Sequence, residues 1–212
     1  MSSRKTEAFN TDTVVSDTVV QLVKDLKIDC IVETGTFHGK TTCYLAEEFP
    51  SLLIYTIEVK FDTFLIAEKN LKSFSNVKQF CGSSEMILKD ILPTLSGKRI
   101  LFYLDAHWED YWPLLDELKK ISTTHQNTCC IIIDDFKVPN RPFKYDSYKG
   151  QPLDIYYVGA GLKEIFSSPF SFYNEKSTRK GGAVGKLYCM PKEWKELISF
   201  PLKEDSGVWY VS

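Results

Sequence analysis

The strongest constraint on the fold is an alternation that runs through the first two thirds of the chain. Short apolar runs recur at 30–32, 52–57, 77–81, 99–104 and 129–133. After each of the first four, the apolar residues return at helical spacing, over 40–49, 61–74, 85–95 (interrupted near Pro93) and 111–121. A further helical pattern precedes them at 13–26, carried by Val14, Val15, Val19, Leu22 and Leu26 behind capping Asp and Ser residues. A strand that is apolar along its whole length is buried on both faces. When a helix follows each such strand, the arrangement is a parallel sheet covered on both sides. The class expected is therefore α/β. After Asp135 the pattern changes. Residues 136–152 are rich in Lys, Pro, Tyr and Asn and read as a long loop. A helix is expected over 154–166, and two antiparallel strands, 170–174 and 184–190, close one edge around a turn at 175–183.

A chain of 212 residues suits one domain, here 1–212, with a helical segment at 1–27 and a substrate-covering loop at 136–152. Its 26 basic and 28 acidic residues leave a net charge of -2, which gives no electrostatic reason to expect nucleic acid or an acidic membrane as partner. No apolar run approaches the roughly 20 residues of a membrane span, and the polar N-terminus lacks a signal-peptide core, so the expected compartment is the cytosol. The six cysteines form no C-x-x-C pair and read as small core hydrophobes. The amphipathic N-terminal helix could serve as a homodimer contact.

The most informative turn follows the first strand: Glu33-Thr34-Gly35-Thr36-Phe37-His38-Gly39-Lys40-Thr41-Thr42. Glycines let the backbone turn sharply and let a ligand approach, and the next helix aims its N-terminal N–H groups at that ligand. A nucleoside triphosphate loop needs G-x-x-x-x-G-K-[ST], and this one is a residue short. A dinucleotide loop needs a middle glycine where Phe37 stands. S-adenosylmethionine has no phosphate to encircle and makes use of acidic strand ends. Glu33 could meet its amino group or hold loop N–H groups. Glu58, 19 residues after Gly39, can accept both ribose hydroxyls.

The blocks E-T-G-T-F-H-G, I-E-V, C-G-S-S-E, L-D-A-H-W and I-I-I-D-D-F, spanning about 32–136, resemble those of class I S-adenosylmethionine-dependent methyltransferases. More narrowly, they are similar to the divalent-metal-dependent small-molecule O-methyltransferases of catechol, caffeoyl-CoA and macrolide or aminocoumarin sugar type. The resemblance implies a Rossmann-like three-layer sandwich, with a mostly parallel seven-stranded sheet ending in an antiparallel hairpin. It implies a cofactor site built from Glu33, Gly35, Thr36, Phe37, Gly39, Thr41 and Glu58. Gly82, Ser83 and Ser84 would lie near the adenine, and Asp105, His107 and Trp108 would lie close to the cofactor or the metal.

Asp105 ends the fourth strand, and Asp134 and Asp135 end the fifth. Three carboxylates meeting at one sheet edge repel unless a cation sits between them, and hard oxygen ligands suit Mg²⁺ or Mn²⁺. In the similar enzymes the matching aspartates hold such a metal against vicinal substrate oxygens, so Asp105, Asp134 and Asp135 are the expected ligands. The resemblance also calls for a lysine base just after the first aspartate, but Trp108 stands in its place. His107, an imidazole active near neutral pH, is the candidate base beside Asp105. The other reading of His107 is a cofactor contact or a fourth metal ligand. Asp110 reads as a helix cap, His38 as a loop donor, His125 as a solvated turn residue, and Lys40 as solvent-facing or reaching the cofactor carboxylate. Lys137, Arg141, Lys144 and Lys149, among Phe143, Tyr145 and Tyr148, could favour an anionic acceptor. The turn around 179–185 reads as a plain one. The expected activity is methyl transfer to a hydroxyl of a small polyhydroxylated molecule. A P-loop-like hydrolase or kinase and a non-catalytic cofactor-binding module are the alternatives.

Overall fold

Asp12 starts the first helix, α1 (Thr13–Asp25), by accepting the N–H groups of Val14 and Val15, a cap worth about 1 kcal/mol. The apolar stripe of α1, with Val15, Val19 and Leu22, is fully buried. The stripe that suggested a dimer contact is thus spent on the chain's own core. In the computed structural model, which describes residues 4–107 and 111–211, the alternation continues as β1 (Cys30–Thr34), α2 (Lys40–Glu48), β2 (Leu53–Glu58), α3 (Phe61–Leu71), β3 (Val77–Cys81), α4 (Ser84–Ile91), β4 (Ile100–Leu104), α5 (Leu114–Ser122) and β5 (Cys129–Ile133). The last third adds a small ladder of β6 (Ser147–Tyr148) and β7 (Gln151–Pro152), then α6 (Ile155–Ile165), β8 (Pro169–Asn174), β9 (Leu187–Pro191), β10 (Leu202–Asp205) and β11 (Val208–Val211). At Pro93 the α4 pattern gives way to a 3-10 turn over Leu92–Leu95. Pro113 precedes α5, which begins at Leu114 and not at the expected Tyr111.

The main sheet has the order β10-β11-β8-β9-β5-β4-β1-β2-β3. Strands β1 to β5 are parallel, and β9 runs antiparallel between β5 and β8. It has nine strands where seven were expected. The extra pair is the β10–β11 hairpin, whose first strand hides its signal behind Lys203, Glu204 and Asp205. The side chains of β1, β4 and β5 alternate between two cores. Val32, Phe102 and Ile131 pack with α4, α5 and α6. Ile31, Leu101 and Ile132 pack with α1 and α2. This is the three-layer sandwich anticipated.

The chain lays β2 and β3 to one side of β1, then returns to place β4 on the other. A crevice opens outside the carboxyl ends wherever strand order reverses in this way. Register aligns the last residues of the three central strands: Thr34 faces Ile57 and Leu104, and Leu104 faces Ile133. Everything that follows Thr34, Leu104 and Ile133 in sequence therefore emerges at one edge.

Candidate functional site

At that edge a cleft of about 400 Å³ is lined by Asn10, Gly35, Phe37, Glu58, Lys60, Thr63, Gly82, Ser84, Asp105, His107, Asp135 and Arg179, among others. Gly35 is required by close approach. Its φ is +84°, and a Cβ there would stand 2.5 Å from the carbonyl oxygen of Asp105. The N–H groups of Gly35 and Thr36 both donate to Ile57 O, which stitches the loop to β2. Phe37 takes left-handed backbone (φ 49°), and its N–H donates to Glu58 Oε2 at 2.8 Å. Lys60 N–H donates to the other oxygen, Oε1, at 2.9 Å. Glu58 is thereby locked in place with one backbone donor per oxygen, and each oxygen keeps a lone pair for a ligand.

Of the expected cofactor residues, Gly35, Phe37, Glu58, Gly82, Ser84, Asp105 and His107 line this cleft. Glu33, Thr36, Gly39, Thr41 and Ser83 do not line it. Glu33 is buried, and its Oε2 accepts the hydroxyls of Thr42 (2.5 Å) and Thr56 (2.6 Å). The Thr56 hydroxyl also meets that of Thr36 at 2.6 Å. Burial pushes the Glu33 carboxyl up to about 7, against the pull of those two hydroxyls. Glu33, expected to meet the cofactor's amino group or to hold loop N–H groups, is a buried strut whose Oε2 takes these two hydroxyls. Thr41 Oγ1 accepts Phe9 N–H, Gly39 caps α2 and packs on Leu71, and the Ser83 hydroxyl turns to Glu85. Trp108 and Asp110 lie outside the described residues. Lys40 pairs with Glu7 at 2.7 Å, not with anything in the cleft, which removes the phosphate-binding lysine that a P-loop reading needs. His38 stacks on Phe37, with ring centroids 3.9 Å apart. His125, expected in solvent, is fully buried, with Nε2 3.1 Å from Leu95 O.

The three aspartates do reach one edge, but they do not form one cage. Asp134 is buried and already occupied. Its Oδ1 takes the Lys186 ammonium and the Asp135 N–H (2.6 Å), and its Oδ2 takes the Tyr103 hydroxyl. Burial alone would raise the Asp134 carboxyl. The charge and hydrogen bond of Lys186, with Tyr103 and the Asp135 N–H, outweigh it and hold the group below its usual range. Asp134, expected as a metal ligand, thus has both oxygens engaged by groups of the chain itself. Breaking a buried pair of this kind costs about 3–5 kcal/mol, because the partner charge is left alone. Asp135, at φ 49°, is joined at Oδ1 by Arg179 at 3.2 Å. Burial and the Asp134 charge push it up to about 6, with Lys186 and Arg179 opposing. Among the described residues, no cationic side chain pairs directly with Asp105, although the charge of Lys186 acts on it from nearby. Burial and the charges of Asp134 and Asp135 drive it well above the carboxylate range. Among the described residues, the group able to offer ligand atoms within 4.8 Å of one another is Asp105, His107 and Asp135.

His107 is half exposed, and its Nε2 lies 3.7 Å from Asp146 Oδ2. Asp146 comes from the loop 136–152 and is anchored by its N–H to Asp135 O at 2.8 Å. The basic residues of that loop are largely engaged. Arg141 pairs with Glu175 and Asp205, Lys144 donates to Gly181 O, and Lys137 lies over Tyr145. Sequence reasoning missed Asn10, Arg179, Lys186 and Asp146. Arg179 and Asp146 had one local signal, a charged residue in a loop, and it does not say which strand end the loop returns to, while Lys186 fell inside the strand expected over 184–190, which begins only at Leu187.

No family model and no curated relative matches the sequence. Solved structures do match. An O-methyltransferase from Bacillus cereus in complex with SAH aligns with TM-score 0.61 and 18% identity, over 84% of this chain and 81% of that one. An SAH-bound methyltransferase from Podospora anserina aligns with TM-score 0.61 and 19% identity, over 84% and 78%. The Streptomyces achromogenes O-methyltransferase involved in tomaymycin synthesis, in complex with SAM, aligns with TM-score 0.57 and 18% identity, over 84% and 79%. With its cleft at the switch point of a sheet so ordered, the chain has the Rossmann-like fold of the small-molecule O-methyltransferases.

Proposed function

We propose that the chain binds S-adenosylmethionine in the cleft and methylates a hydroxyl of a small polyhydroxylated acceptor. The observation that carries this reading is Glu58. It is a carboxylate at the end of β2, fixed by the N–H groups of Phe37 and Lys60, and it lines the cleft together with Gly35 and Asp105. A bidentate acceptor held that way suits the two ribose hydroxyls of a nucleoside without phosphates. Gly82 and Ser84, following β3, line the same cleft and would lie beside the base.

When bound, this cofactor supplies a methyl group on a sulfonium sulfur, already activated, so the chain has to position a hydroxyl in line and manage one proton. His107 would take the proton of the acceptor hydroxyl, while the transfer itself would exchange the sulfur–methyl bond for an oxygen–methyl bond and leave the electron pair on sulfur. Asp146, 3.7 Å from His107 Nε2, would orient the ring to receive that proton. Asp105 and Asp135 border the same space. Calorimetry with S-adenosylmethionine, S-adenosylhomocysteine and ATP tests the cofactor. Transfer of a labelled methyl group to a panel of sugars and vicinal phenols tests the reaction. Binding of ATP without binding of either sulfur nucleoside would sink the proposal.

A further inference from the structure

The resemblance calls for a divalent metal on three aspartates, and the donor set does not fit it. We propose that the cations of this carboxylate edge are built into the chain as Lys186 and Arg179, and that the cofactor is bound and its methyl transferred without a divalent metal. The inference rests on the cofactor reading above for its second half only. The first half stands on contacts. Lys186 is fully buried with its ammonium on Asp134, and Arg179 is on Asp135. Both cations come from one segment, the turn between β8 and β9. That turn is clamped at each end. Asn174 Oδ1 accepts the Lys186 N–H at 2.7 Å, while its Nδ2 donates to Lys176 O and Val184 O. Asp12 accepts the Ser177 hydroxyl and both the N–H and hydroxyl of Thr178. Gly185 permits the approach, since a Cβ there would lie 2.0 Å from Phe136 O. An ammonium delivered with this much support occupies the charge position that a metal would take. A metal entering beside it would meet like charge and an Asp134 whose two oxygens are already used.

The test is a titration of the chelator-treated protein with Mn²⁺ and Mg²⁺, by calorimetry and by the Mn²⁺ spin-resonance signal. The expected result is no saturable binding below the millimolar range. The affinity for S-adenosylhomocysteine should also stay within about twofold with and without chelator. Micromolar Mn²⁺ binding that Asp105→Asn or Asp135→Asn abolishes would overturn the inference, and so would a tenfold loss of cofactor affinity on chelation. Arg179→Ala leaves the buried pair intact. It is expected to strengthen Mn²⁺ binding by about tenfold or more, since one compensating charge is gone. Equal Mn²⁺ binding by that variant and the wild type would count against the proposal. Lys186→Met, and the neutral pair Lys186→Met with Asp134→Asn, separate charge from folding. The single variant should gain a Mn²⁺-dependent rise in Tm that the pair lacks, and a like response in both would overturn it. If S-adenosylhomocysteine fails to bind in every condition, the cofactor reading falls while the metal titration still decides the charge assignment.

Discussion

Glu58 and Glu117 illustrate two fates of a carboxylate near the same edge. Glu58 has a backbone donor for each oxygen and an open side toward the cleft. Its replacement by alanine should weaken S-adenosylhomocysteine binding by about 10- to 100-fold, the loss of a bidentate charge-assisted contact. Calorimetry checks this, and an unchanged affinity would remove Glu58 from the ribose. Glu117, on α5, is fully buried, and among the described residues neither oxygen completes a hydrogen bond, although the hydroxyls of Thr34 and Ser84 lie beside it. Burial pushes it from 4.5 up to about 7 against those hydroxyls. Between those two values the unfolded chain has released a proton that the folded chain keeps, so this group's contribution to stability falls as pH rises through the window. Glu33, also raised to about 7, acts in the same direction. Glu117→Gln should therefore gain little over wild type near pH 5 and up to about 3 kcal/mol near pH 8, read by urea unfolding. A gap that fails to widen with pH would show that Glu117 ionises in the fold as freely as in the unfolded chain. At this scale the sequence was informative about Glu58, because a strand end and a spacing from Gly39 place it. It was silent about Glu117, which reads as an ordinary polar helix residue until α5 is docked.

The turn between β8 and β9 is the element whose role was least legible. Its glycines and lysines match any solvated hairpin, and its importance comes from where it lands. It lands between the N-terminal segment and the ends of β4 and β5, more than 40 residues away in sequence from Asp134 and Asp135. By contrast, β1, β4 and β5 were plain in the sequence because an unbroken apolar run has few alternatives to a doubly covered strand. Asp12 holds this turn while also capping α1. Asp12→Ala should cost about 2 kcal/mol, more than an ordinary cap, since the part-buried Ser177 hydroxyl and the Thr178 amide and hydroxyl lose their acceptor too. It should also open the turn to trypsin at Arg179 and Lys180. A variant cleaved no faster than wild type under native conditions would mean that Asn174 and Gly185 hold the turn without Asp12.

Across the whole molecule, the C-terminal hairpin and the candidate site belong to one mechanical unit. Tyr210 of β11 is fully buried, and its hydroxyl donates to Pro139 O at 2.8 Å, inside the loop that carries Asp146. Arg141 of the same loop lies over the Tyr210 ring at 4.2 Å and pairs with Asp205 of β10. The hairpin therefore extends the sheet past β8 and also fixes the root of the loop whose far end sets Asp146 near His107. Tyr210→Phe removes one hydrogen bond and keeps the ring, so the expected cost to stability is about 1 kcal/mol. Its functional effect should be split. Affinity for S-adenosylhomocysteine should hold, because Gly35, Glu58 and Gly82 are on the other side of the switch point. Amide exchange over 136–146 should quicken, and methyl transfer should show a raised KM for the acceptor. Equal loss on the cofactor and acceptor sides would mean that the hairpin supports the sheet as a whole and not the loop. Unchanged exchange in the loop would mean that Phe136, Val138 and Leu153, all buried at its base, hold it without help from the edge.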